Sequence, residues 1–456
     1  MKKVLPTLLF LALAGQALAA PTATLSTPDN ADAANLAQVL HIINDRSPDA
    51  QAAQSARRQA DAQVQQARAA WFGKVDAYGV DQHFNDPRLT RPITQPPNVA
   101  NYPFSSDQFG YGLDMQLPID LSRQIAAEVD AAKSRAAGAG WSAEDVRLRA
   151  LLQGAALYRN LQALVGQRTA LAVQLESLEA SERVAQIGLK VGDIARVNLL
   201  RVRAAAAEVQ ADIANVRGQE QKLRAQLAAL MDVGAFAAPV SSPAAGPSAY
   251  PADPGGPAPV VLAAQNALAA GQAKLQAAQR AQYPQVAVNA GWNRNAIQWD
   301  QQPINTWQVN LSVRMNLWSG GAQRSAIDAA HAAVDEAKQR LSGAEANLRA
   351  AREGAVAQWN AQDESYRAAQ SGLLSAEESA RIEQDRFRNG LGSATDLIDA
   401  EATLARARAS VASALAGWWQ ADDALRYAYG EPPLAYADAA ATDSQPSARQ
   451  SGATLP

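Results

Sequence analysis

Two aspartates near the end of the chain are spaced so that their carboxylates could act together. Asp396 and Asp399 lie three residues apart within GLGSATDLIDAEATL, which spans Gly390–Leu404. On a helix, residues at this spacing share one face. A structural interpretation is also open, because Ser393 followed by Asp396 resembles a capping box and acidic side chains near a helix N-terminus are stabilised by the helix dipole.

Other residue types that carry chemistry are absent or scattered. The chain has no cysteine, which excludes disulfides, thiolate zinc sites and a lipid-modified N-terminal cysteine. The three histidines, His41, His83 and His331, form no pair at metal-ligand spacing. The sequence contains neither a Gly-rich phosphate loop nor a nucleophile–histidine pairing. We therefore expect no catalytic residue, no metal and no cofactor, and we do not expect an enzyme.

The charges are balanced, which bears on possible partners. Lys and Arg number 41 against 44 Asp and Glu, so the formal net charge is −3. A nucleic-acid partner requires a concentrated basic face, whereas the two signs are interspersed here without runs of like charge. The composition predicts no nucleic-acid binding.

The N-terminus has the three parts of an export signal. MKK is basic, VLPTLLFLALAG is apolar, and ALA at Ala17–Ala19 is a small-residue cleavage site. We expect a signal peptide over residues 1–19 with cleavage after Ala19, followed by a polar leader over residues 20–32. No other stretch approaches 18 uninterrupted apolar residues, so any membrane span of the mature protein must be built from strands.

The elements that would position the two aspartates occur twice. VGDIARVNLL (Val191–Leu200) aligns with NGLGSATDLI (Asn389–Ile398) at an offset of 198 residues, which places Gly192 on Gly390. Each glycine separates two long helix-period segments, and each such hairpin follows a shorter helix and two strand-like stretches. This pattern predicts an internal duplication with a glycine at the tip of each helical hairpin.

The boundaries of the duplicated units follow from composition. Repeat 1 is expected over residues 33–231 with its tip near 192, and repeat 2 over residues 260–430 with its tip near 390. A Pro/Ala-rich linker over residues 232–259 separates them. The tail over residues 431–456 has a composition typical of disorder.

The helical segments repeat every seven residues. Aliphatic side chains recur at this interval on the outgoing helix of repeat 2 and again on its return helix: Ile327, Val334, Leu341 and Leu348, then Leu397, Leu404, Val411 and Trp418. This spacing predicts antiparallel coiled-coil hairpins. An outgoing helix of roughly 65 residues would be about 100 Å long, so we expect an elongated molecule.

Two stretches alternate strictly between apolar and polar residues. Tyr111–Ile119 and Trp307–Leu317 carry their apolar side chains at odd positions, and their lengths match the roughly 9–11 residues of a tilted transmembrane strand. A half-buried strand of a soluble protein is the alternative. Two further strands are expected at Trp71–Val80 and Tyr283–Asn293. Since four strands cannot close a barrel and open edges are not tolerated in lipid, several chains must share one sheet.

Several junctions are similar to those of one known family. QYPQVAVNAGW (Gln282–Trp292) resembles its helix-to-strand junction, and MNLWSGGAQR (Met315–Arg324) its strand-to-helix junction. GLGSATDLIDAEATL resembles its periplasmic hairpin tip, and NLAQVLHIINDRSPDAQAA its opening helix. With the export signal and the duplication, the mature chain resembles the TolC-type outer-membrane efflux protein family over nearly its whole length.

The resemblance implies a mainly α-helical fold with transmembrane β-strands. Each protomer of a homotrimer would give four strands to a 12-strand outer-membrane barrel, and its long helical hairpins would build an α-barrel through the periplasm. The implied function is an exit duct for efflux or type I secretion. Its implied partners are a periplasmic adaptor, an inner-membrane transporter and outer-membrane lipid.

The resemblance also assigns roles to residues at the tips. Asp396 and Asp399 match positions that line the constriction, so a trimer would place six carboxylates around one cation-attracting aperture. Repeat 1 has Asn198 and Arg201 at the equivalent positions, so the ring would come from repeat 2 alone. The adaptor-docking residues would be those at both tips: Gly192, Asp193, Ile194, Gly390, Leu391, Gly392 and Ser393. Gly392 and Phe387 stand where the family has an arginine and a tyrosine.

An exported coiled-coil protein that is not a channel is the competing interpretation. A periplasmic adaptor would carry one hairpin flanked by sandwich and barrel modules. A surface fibre would not need long alternating strands. Two hairpins, each preceded by such strands, favour the exit duct.

Overall fold

The computed structural model describes residues 35–89, 104–191, 195–241, 246–247, 250–253, 255–296 and 304–437. The predicted signal peptide and most of the polar leader lie outside these residues. The helices and strands follow in the order α1 (Leu36–Arg46), α2 (Pro48–Ala69), β1 (Lys74–Leu89), β2 (Phe104–Ile119), α3 (Gln124–Val191), α4 (Arg196–Leu230), α5 (Pro259–Arg280), β3 (Gln285–Ala296), β4 (Ile304–Arg314), α6 (Ala322–Arg388) and α7 (Ala394–Ala428).

The duplication is visible in the element boundaries. Helix α3 begins at Gln124 and α6 at Ala322, and α4 begins at Arg196 and α7 at Ala394, so both pairs are 198 residues apart. The two outgoing helices have 68 and 67 residues, which corresponds to about 100 Å each. The predicted mainly α-helical, duplicated fold with four strands is confirmed.

The four strands form one antiparallel sheet in the order β1-β2-β3-β4. Residues that pair across neighbouring strands point to the same face. One such row is apolar on every strand and consists of Val75, Met115, Ala290 and Val309. The next row is polar and consists of Lys74, Gln116, Asn289 and Asn310. The sheet therefore has one apolar face and one polar face.

The two strands of the first β-hairpin, β1 and β2, are longer than the sequence pattern indicated. Strands β1 and β2 have 16 residues each, against the ten predicted from Trp71 to Val80 and the nine from Tyr111 to Ile119. Trp71 belongs to a short 3-10 turn instead, and Gly73 with a φ of 68° turns the chain into β1. The alternation in β1 is weak because Gly79 occupies an apolar-face position.

The helices continue the order of the strands. Helix α2 packs on α3, α3 on α5, and α5 on α6, which is the order of the strands β1, β2, β3 and β4 that adjoin them. Beyond the ends of α2 and α5 the order becomes α4, α3, α7 and α6. The protomer is thus a single layer of helices and strands. Helices α2 and α4 and strand β1 lie along one edge, and α6 and β4 lie along the other.

The seven-residue pattern corresponds to burial on the return helices. Val202, Val209 and Val216 on α4 are buried, as are Leu397 and Leu404 on α7. Small residues let the two hairpins approach closely: a Cβ at Gly166 on α3 would lie 2.7 Å from the Cβ of Ala412 on α7. The predicted coiled-coil packing is therefore present within each hairpin and also between them.

A compact cluster lies halfway along α3, where α4 ends. It contains the largest fully buried side chains of this region, contributed by α1, α3 and the end of α4: Leu40, Ile43, Leu151, Tyr158, Leu227 and Met231. Part of the linker covers it, because Val233, Phe236 and Val240 pack against the cluster. Tyr158 and Ser241 also share a hydrogen bond of 2.8 Å between their hydroxyls.

The prediction of a disordered tail from residue 431 is wrong for residues 431–437. Residues 434–437 are helical, and Ala435 and Tyr436 pack against the cluster on α1 and α3. The Tyr436 ring lies 4.8 Å from that of His41. The disorder prediction was based on the average composition of the tail, which is rich in Ala, Ser and Pro. It did not take account of Tyr436, whose ring anchors this segment by packing on the cluster.

Among the described residues, no helix combines the length and the apolar character needed to cross a membrane.

Candidate functional site: hairpin tips and the apolar sheet face

The second hairpin turns through a glycine. Gly390 has a φ of 72°, a left-handed conformation that glycine adopts without the penalty of a Cβ. The amides of Leu391 and Gly392 both donate to the carbonyl of Arg386, at 2.8 and 3.0 Å, and these bonds satisfy the end of α6. The Leu391 side chain projects into solvent with 75 % of its area exposed. The predicted tip is therefore a short, hydrogen-bonded turn that presents one apolar side chain.

Helix α7 begins with a side-chain cap. The amide of Asp396 donates to the Ser393 hydroxyl oxygen at 3.1 Å, as the capping interpretation predicted. The Asp396 carboxylate makes no return bond to Ser393 within the described part of the chain. The cap therefore uses the backbone of Asp396 and leaves its carboxylate available.

Both candidate gate carboxylates face solvent. Asp396 and Asp399 are exposed, whereas Leu397 between them is fully buried. In the residues that the structure covers, neither side chain has an ion-pair partner. The i, i+3 spacing thus places two unpaired carboxylates on the open face of α7, next to the turn.

The tip of the first hairpin is only partly placed. Gly192, Asp193 and Ile194 lie outside the described residues. Asn198 and Arg201, at the positions equivalent to the two aspartates, are on α4. The Arg201 guanidinium donates to the Thr395 hydroxyl on α7 at 2.9 Å, so it links the two hairpins.

A small apolar cluster joins the two tips. Ala185 on α3, Leu199 and Val202 on α4, Phe387 on α6 and Leu397 on α7 are buried together. Phe387 is the residue that stands where the family resemblance expected a tyrosine. Its ring fills this cluster, so the tip is held here by apolar packing at that position.

A buried carboxylate nearby was not predicted from the sequence. Glu401 on α7 has only 2 % of its area exposed. Its Oε1 accepts hydrogen bonds from the Ser177 hydroxyl on α3 and the Gln384 amide on α6, both at 2.5 Å. One oxygen atom is therefore shared by three helices.

A sequence signal for this residue existed. Helix α7 carries a second 4-3 pattern, offset from the first, on the face towards α3; its members are Glu401, Ala405, Arg408, Ala412, Leu415, Trp419 and Asp422. Charged residues within such a stripe indicate buried polar contacts. We call this stripe the inner seam of α7.

Another group of charges is buried at the opposite end of α7. Asp422 accepts hydrogen bonds from Trp359 at 3.1 Å and from Arg426 at 2.9 Å. Burial raises the pKa of Asp423 to about 7, although the nearby Arg159 opposes this shift. Arg159 is itself buried, which lowers its pKa, and its guanidinium lies 4.5 Å above the Trp419 ring.

The apolar face of the sheet is a second candidate surface. Trp307, Val309, Leu311 and Val313 on β4 are between 62 % and 78 % exposed. Val286, Val288 and Trp292 on β3 and Leu113, Met115 and Leu117 on β2 share their rows. Monomeric soluble proteins rarely expose contiguous apolar patches of this kind.

The potential metal ligands among the described residues are scattered, and no group of three or more of them occurs there. His83 contacts Asp107 at 2.6 Å on the outer part of the β1–β2 hairpin, where both side chains are exposed.

Solved structures of bacterial outer-membrane channels share the fold. The CmeC channel of Campylobacter jejuni superimposes with a TM-score of 0.75 at 16 % identity, over 91 % of this chain and 90 % of that one. The outer membrane protein VceC of Vibrio cholerae gives 0.72 at 19 % identity, over 87 % and 96 %. The open state of the MtrE channel of Neisseria gonorrhoeae gives 0.70 at 17 % identity, over 87 % and 89 %.

The sequence itself carries the evidence of family. No curated protein matches the chain, but residues 39–232 and 257–431 match the outer membrane efflux proteins. The matched residues extend over both hairpins and over all four strands. Since they make up well over half of the chain, the protein belongs to the outer membrane efflux protein family, whose members are channels and not enzymes.

Proposed function

We propose that this outer-membrane efflux channel works as a homotrimeric exit duct. Its strands form part of a 12-strand barrel in the outer membrane, and its hairpins form part of an α-barrel that reaches into the periplasm and narrows at the tips. The observation that carries the proposal is the single-layer protomer, with an exposed apolar sheet face and two open edges. Because the members of the family are channels, we do not propose a periplasmic adaptor or a surface fibre.

The sheet supports insertion in lipid. Its apolar rows suit hydrocarbon, and its polar rows suit a water-filled interior. Strands β1 and β4 each have one edge without a strand partner in the described chain. Because unpaired backbone groups are very costly in lipid, the β4 edge of one copy must pair with the β1 edge of the next.

The duplication supports ring closure by the helices. Within one chain, the inner seam of α7 packs on α3. The positions 198 residues earlier form the corresponding stripe on α4, which is mostly polar and largely exposed: Arg203, Ala207, Gln210, Ala214, Arg217, Gln221 and Arg224. By quasi-equivalence, this stripe packs on α6 of the next copy as α7 packs on α3. Three protomers then give six similar hairpin contacts.

Charges at that contact are complementary. Gly166 of α3, which faces Ala412, corresponds to Glu364 on α6, and Ala412 corresponds to Ala214 on α4. Arg217 lies one turn from Ala214. Glu364 and Arg217 are exposed and have no ion-pair partner among the described residues. Quasi-equivalent packing brings this acid and this base together across the boundary between copies.

The exposed carboxylates at the tip of the second hairpin support a gate there. Three copies of Asp396 and Asp399 place six carboxylates around one narrow opening, and rings of acidic side chains favour cations. The tips also provide the docking surface for a periplasmic adaptor, with the exposed Leu391 as an apolar contact. An inner-membrane transporter supplies substrate and energy, and residues 1–19 are removed on export.

Ion selectivity in planar lipid bilayers tests the gate. Asp396→Asn combined with Asp399→Asn should reduce the cation preference of purified trimers several-fold and weaken block by divalent cations. The matched control is Asp385→Asn, an exposed acid at the end of α6 that pairs with Arg381, and it should conduct like the wild type. An unchanged cation preference in the double variant would show that the two aspartates do not line the opening.

A further inference from the structure

One arginine lies at the border of the apolar sheet face. The outermost apolar row across β2, β3 and β4 consists of Leu113, Trp292 and Trp307. The next row, farther from the helices, consists of Tyr111, Arg294 and Asn305. Arg294 thus lies directly beyond two tryptophans, towards the end of the sheet that is opposite to the starts of α3 and α6.

The first β-hairpin has a histidine where the second has this arginine. His83 and Arg294 are each the tenth residue of their strands, β1 and β3, and their cross-strand partners Asp107 and Asn305 are separated by the 198 residues of the repeat. In the first hairpin, His83 Nδ1 contacts the Asp107 carboxylate at 2.6 Å. The second hairpin therefore keeps a basic side chain at this position without the acid that accompanies it in the first.

The surroundings of Arg294 do not neutralise its charge. Within the described residues Arg294 makes no ion pair, and its two cross-strand neighbours, Tyr111 and Asn305, are neutral. A phenol hydroxyl and a side-chain amide both donate hydrogen bonds. So does the indole N–H of Trp292, whose ring packs edge-on against Tyr111 with 6.1 Å between the ring centroids. Neutral hydrogen-bond donors thus flank a positive charge that has no acidic partner in the described chain.

We propose that Arg294, Tyr111 and Asn305 bind the phosphate group of a lipid in the outer leaflet of the membrane. The inference rests on the proposed channel function, because that function places this end of the sheet at the outer surface. A guanidinium group matches phosphate with paired hydrogen bonds, and aromatic side chains lie at the depth of lipid headgroups. Negatively charged headgroups attract basic side chains at that depth.

The apolar rows next to Arg294 favour a lipid over a free phosphate ion. Trp307 and Val309 on the neighbouring strand are 78 % and 62 % exposed, and they continue the apolar face from Arg294 towards the helices. Acyl chains that are attached to the bound phosphate lie along this surface, and covering it adds to the affinity. A free ion gains nothing from it, so the site is one for a phosphorylated lipid.

Native mass spectrometry of the purified full-length protein with added lipid A, a phosphorylated glycolipid, tests the site. Wild-type protein should retain diphosphorylated lipid A several-fold more strongly than dephosphorylated lipid A. Arg294→Gln should abolish this preference. Asn305→Asp should abolish it as well, because it recreates the acid–base pair of the first hairpin and neutralises Arg294. The matched control is Arg314→Gln, which removes an exposed arginine from the polar face of β4 and should keep the wild-type preference.

Three results would overturn the lipid site. The first is equal retention of the two forms of lipid A by the wild type, or an undiminished preference in Arg294→Gln and Asn305→Asp. The second is loss of the preference in Arg314→Gln, which would indicate a response to total charge. The third is release of the lipid by excess inorganic phosphate, which would indicate a site for free anions. If Arg294→Gln does not assemble, Asn305→Asp decides the test, because it keeps the arginine.

Ion conductance of the same wild-type protein in planar bilayers separates the lipid site from the channel function. Protein that conducts ions but shows no preference for the phosphorylated lipid leaves the channel proposal intact and overturns the lipid site. Protein that conducts no ions contradicts the channel proposal itself.

Discussion

At the residue scale, the acidic side chains of α7 divide into two groups with different surroundings. Asp396 and Asp399 are exposed and unpaired in the described chain, so their charge is available to mobile ions. Glu401, Asp422 and Asp423 are buried and touch neighbouring helices. Under the proposed function, acidic side chains select ions at one end of the helix, whereas along the rest of it they connect neighbouring helices.

Asp423 gives the protein a pH-dependent stability. Burial raises its pKa from 3.8 to about 7, Asp422 adds to the shift, and Arg159, Arg426 and the backbone of Leu434 oppose it. The native state therefore holds a proton that the unfolded chain releases, and the stabilisation is lost as the pH rises from about 4 through about 7. Between about pH 6 and about pH 8 we expect a loss on the order of 1 kcal/mol.

Thermal denaturation at these two pH values checks this expectation. The midpoint should fall more between them in the wild type than in Asp423→Asn, which cannot ionise. Asp212→Asn, an exposed acid on α4, should keep the wild-type difference. Equal pH dependence in wild type and Asp423→Asn would contradict the assignment.

The individual site residues differ in how far the sequence reveals them. The Ser393 cap and the shared exposed face of Asp396 and Asp399 were identifiable because both depend on local spacing along one helix. Glu401 was not, because its partner Ser177 is 224 residues away in sequence. The inner seam of α7 becomes meaningful only once α3 is known to lie against it.

At the element scale, the two long helices begin by different means. Gly321 precedes α6 with a φ of 88°. At the equivalent position before α3, Arg123 has a φ of 58°, and the Asp120 carboxylate accepts hydrogen bonds from the amides of Ile125 and Ala126. The side-chain cap at Asp120 offsets the strain that glycine avoids in repeat 2.

Substitutions at these two positions should change the stability of the protein in opposite directions. Arg123→Gly should stabilise the protein by up to about 1 kcal/mol, because a left-handed conformation costs a non-glycine residue about 1–2 kcal/mol. Gly321→Ala should destabilise it by a similar amount. Melting temperatures of the purified protein provide the measurement, and Gly343→Ala, in open space within α6, is the control that should not destabilise. A lower melting temperature for Arg123→Gly would contradict the account.

The elements themselves follow from the sequence to different degrees. Periodicity of seven predicted the four hairpin helices because each keeps one apolar stripe along its length. Strand β1 was predicted too short, since Gly79 and the charged residues after it interrupt the alternation. The hydrogen-bonded pairing of β1 with β2 stabilises the strand beyond the residues that alternate.

At the scale of the whole molecule, the protomer is a layer with two unlike edges. Helix α4 and strand β1 lie along one edge, and α6 and β4 along the other. When two different edges contact each other, one edge of a copy meets the opposite edge of the next copy. Such head-to-tail contacts generate a closed ring if the rotation between copies brings the last copy back to the first. The shape of one chain therefore accounts for the proposed trimer without a separate dimerisation surface.

Charge reversal across this boundary tests the assembly. Glu364→Arg should bring two arginines together and reduce the fraction of heat-resistant trimers on SDS gels, and Arg217→Glu should do the same with two acids. The double variant should recover most of the trimer, since the pair is restored in reverse. Glu353→Arg on the same helix is the control without a predicted partner. Failure of the double variant to recover would argue against the pairing.

The seven-residue repeat has one more consequence, for the reach of the molecule. Deleting seven residues at the same height from α3, α4, α6 and α7 would shorten both hairpins by about 10 Å and leave every apolar row in phase. Deleting them from one hairpin alone would put its tip out of line with its neighbours. The length of this scaffold can therefore change in fixed increments of seven residues per helix while its cross-section stays the same.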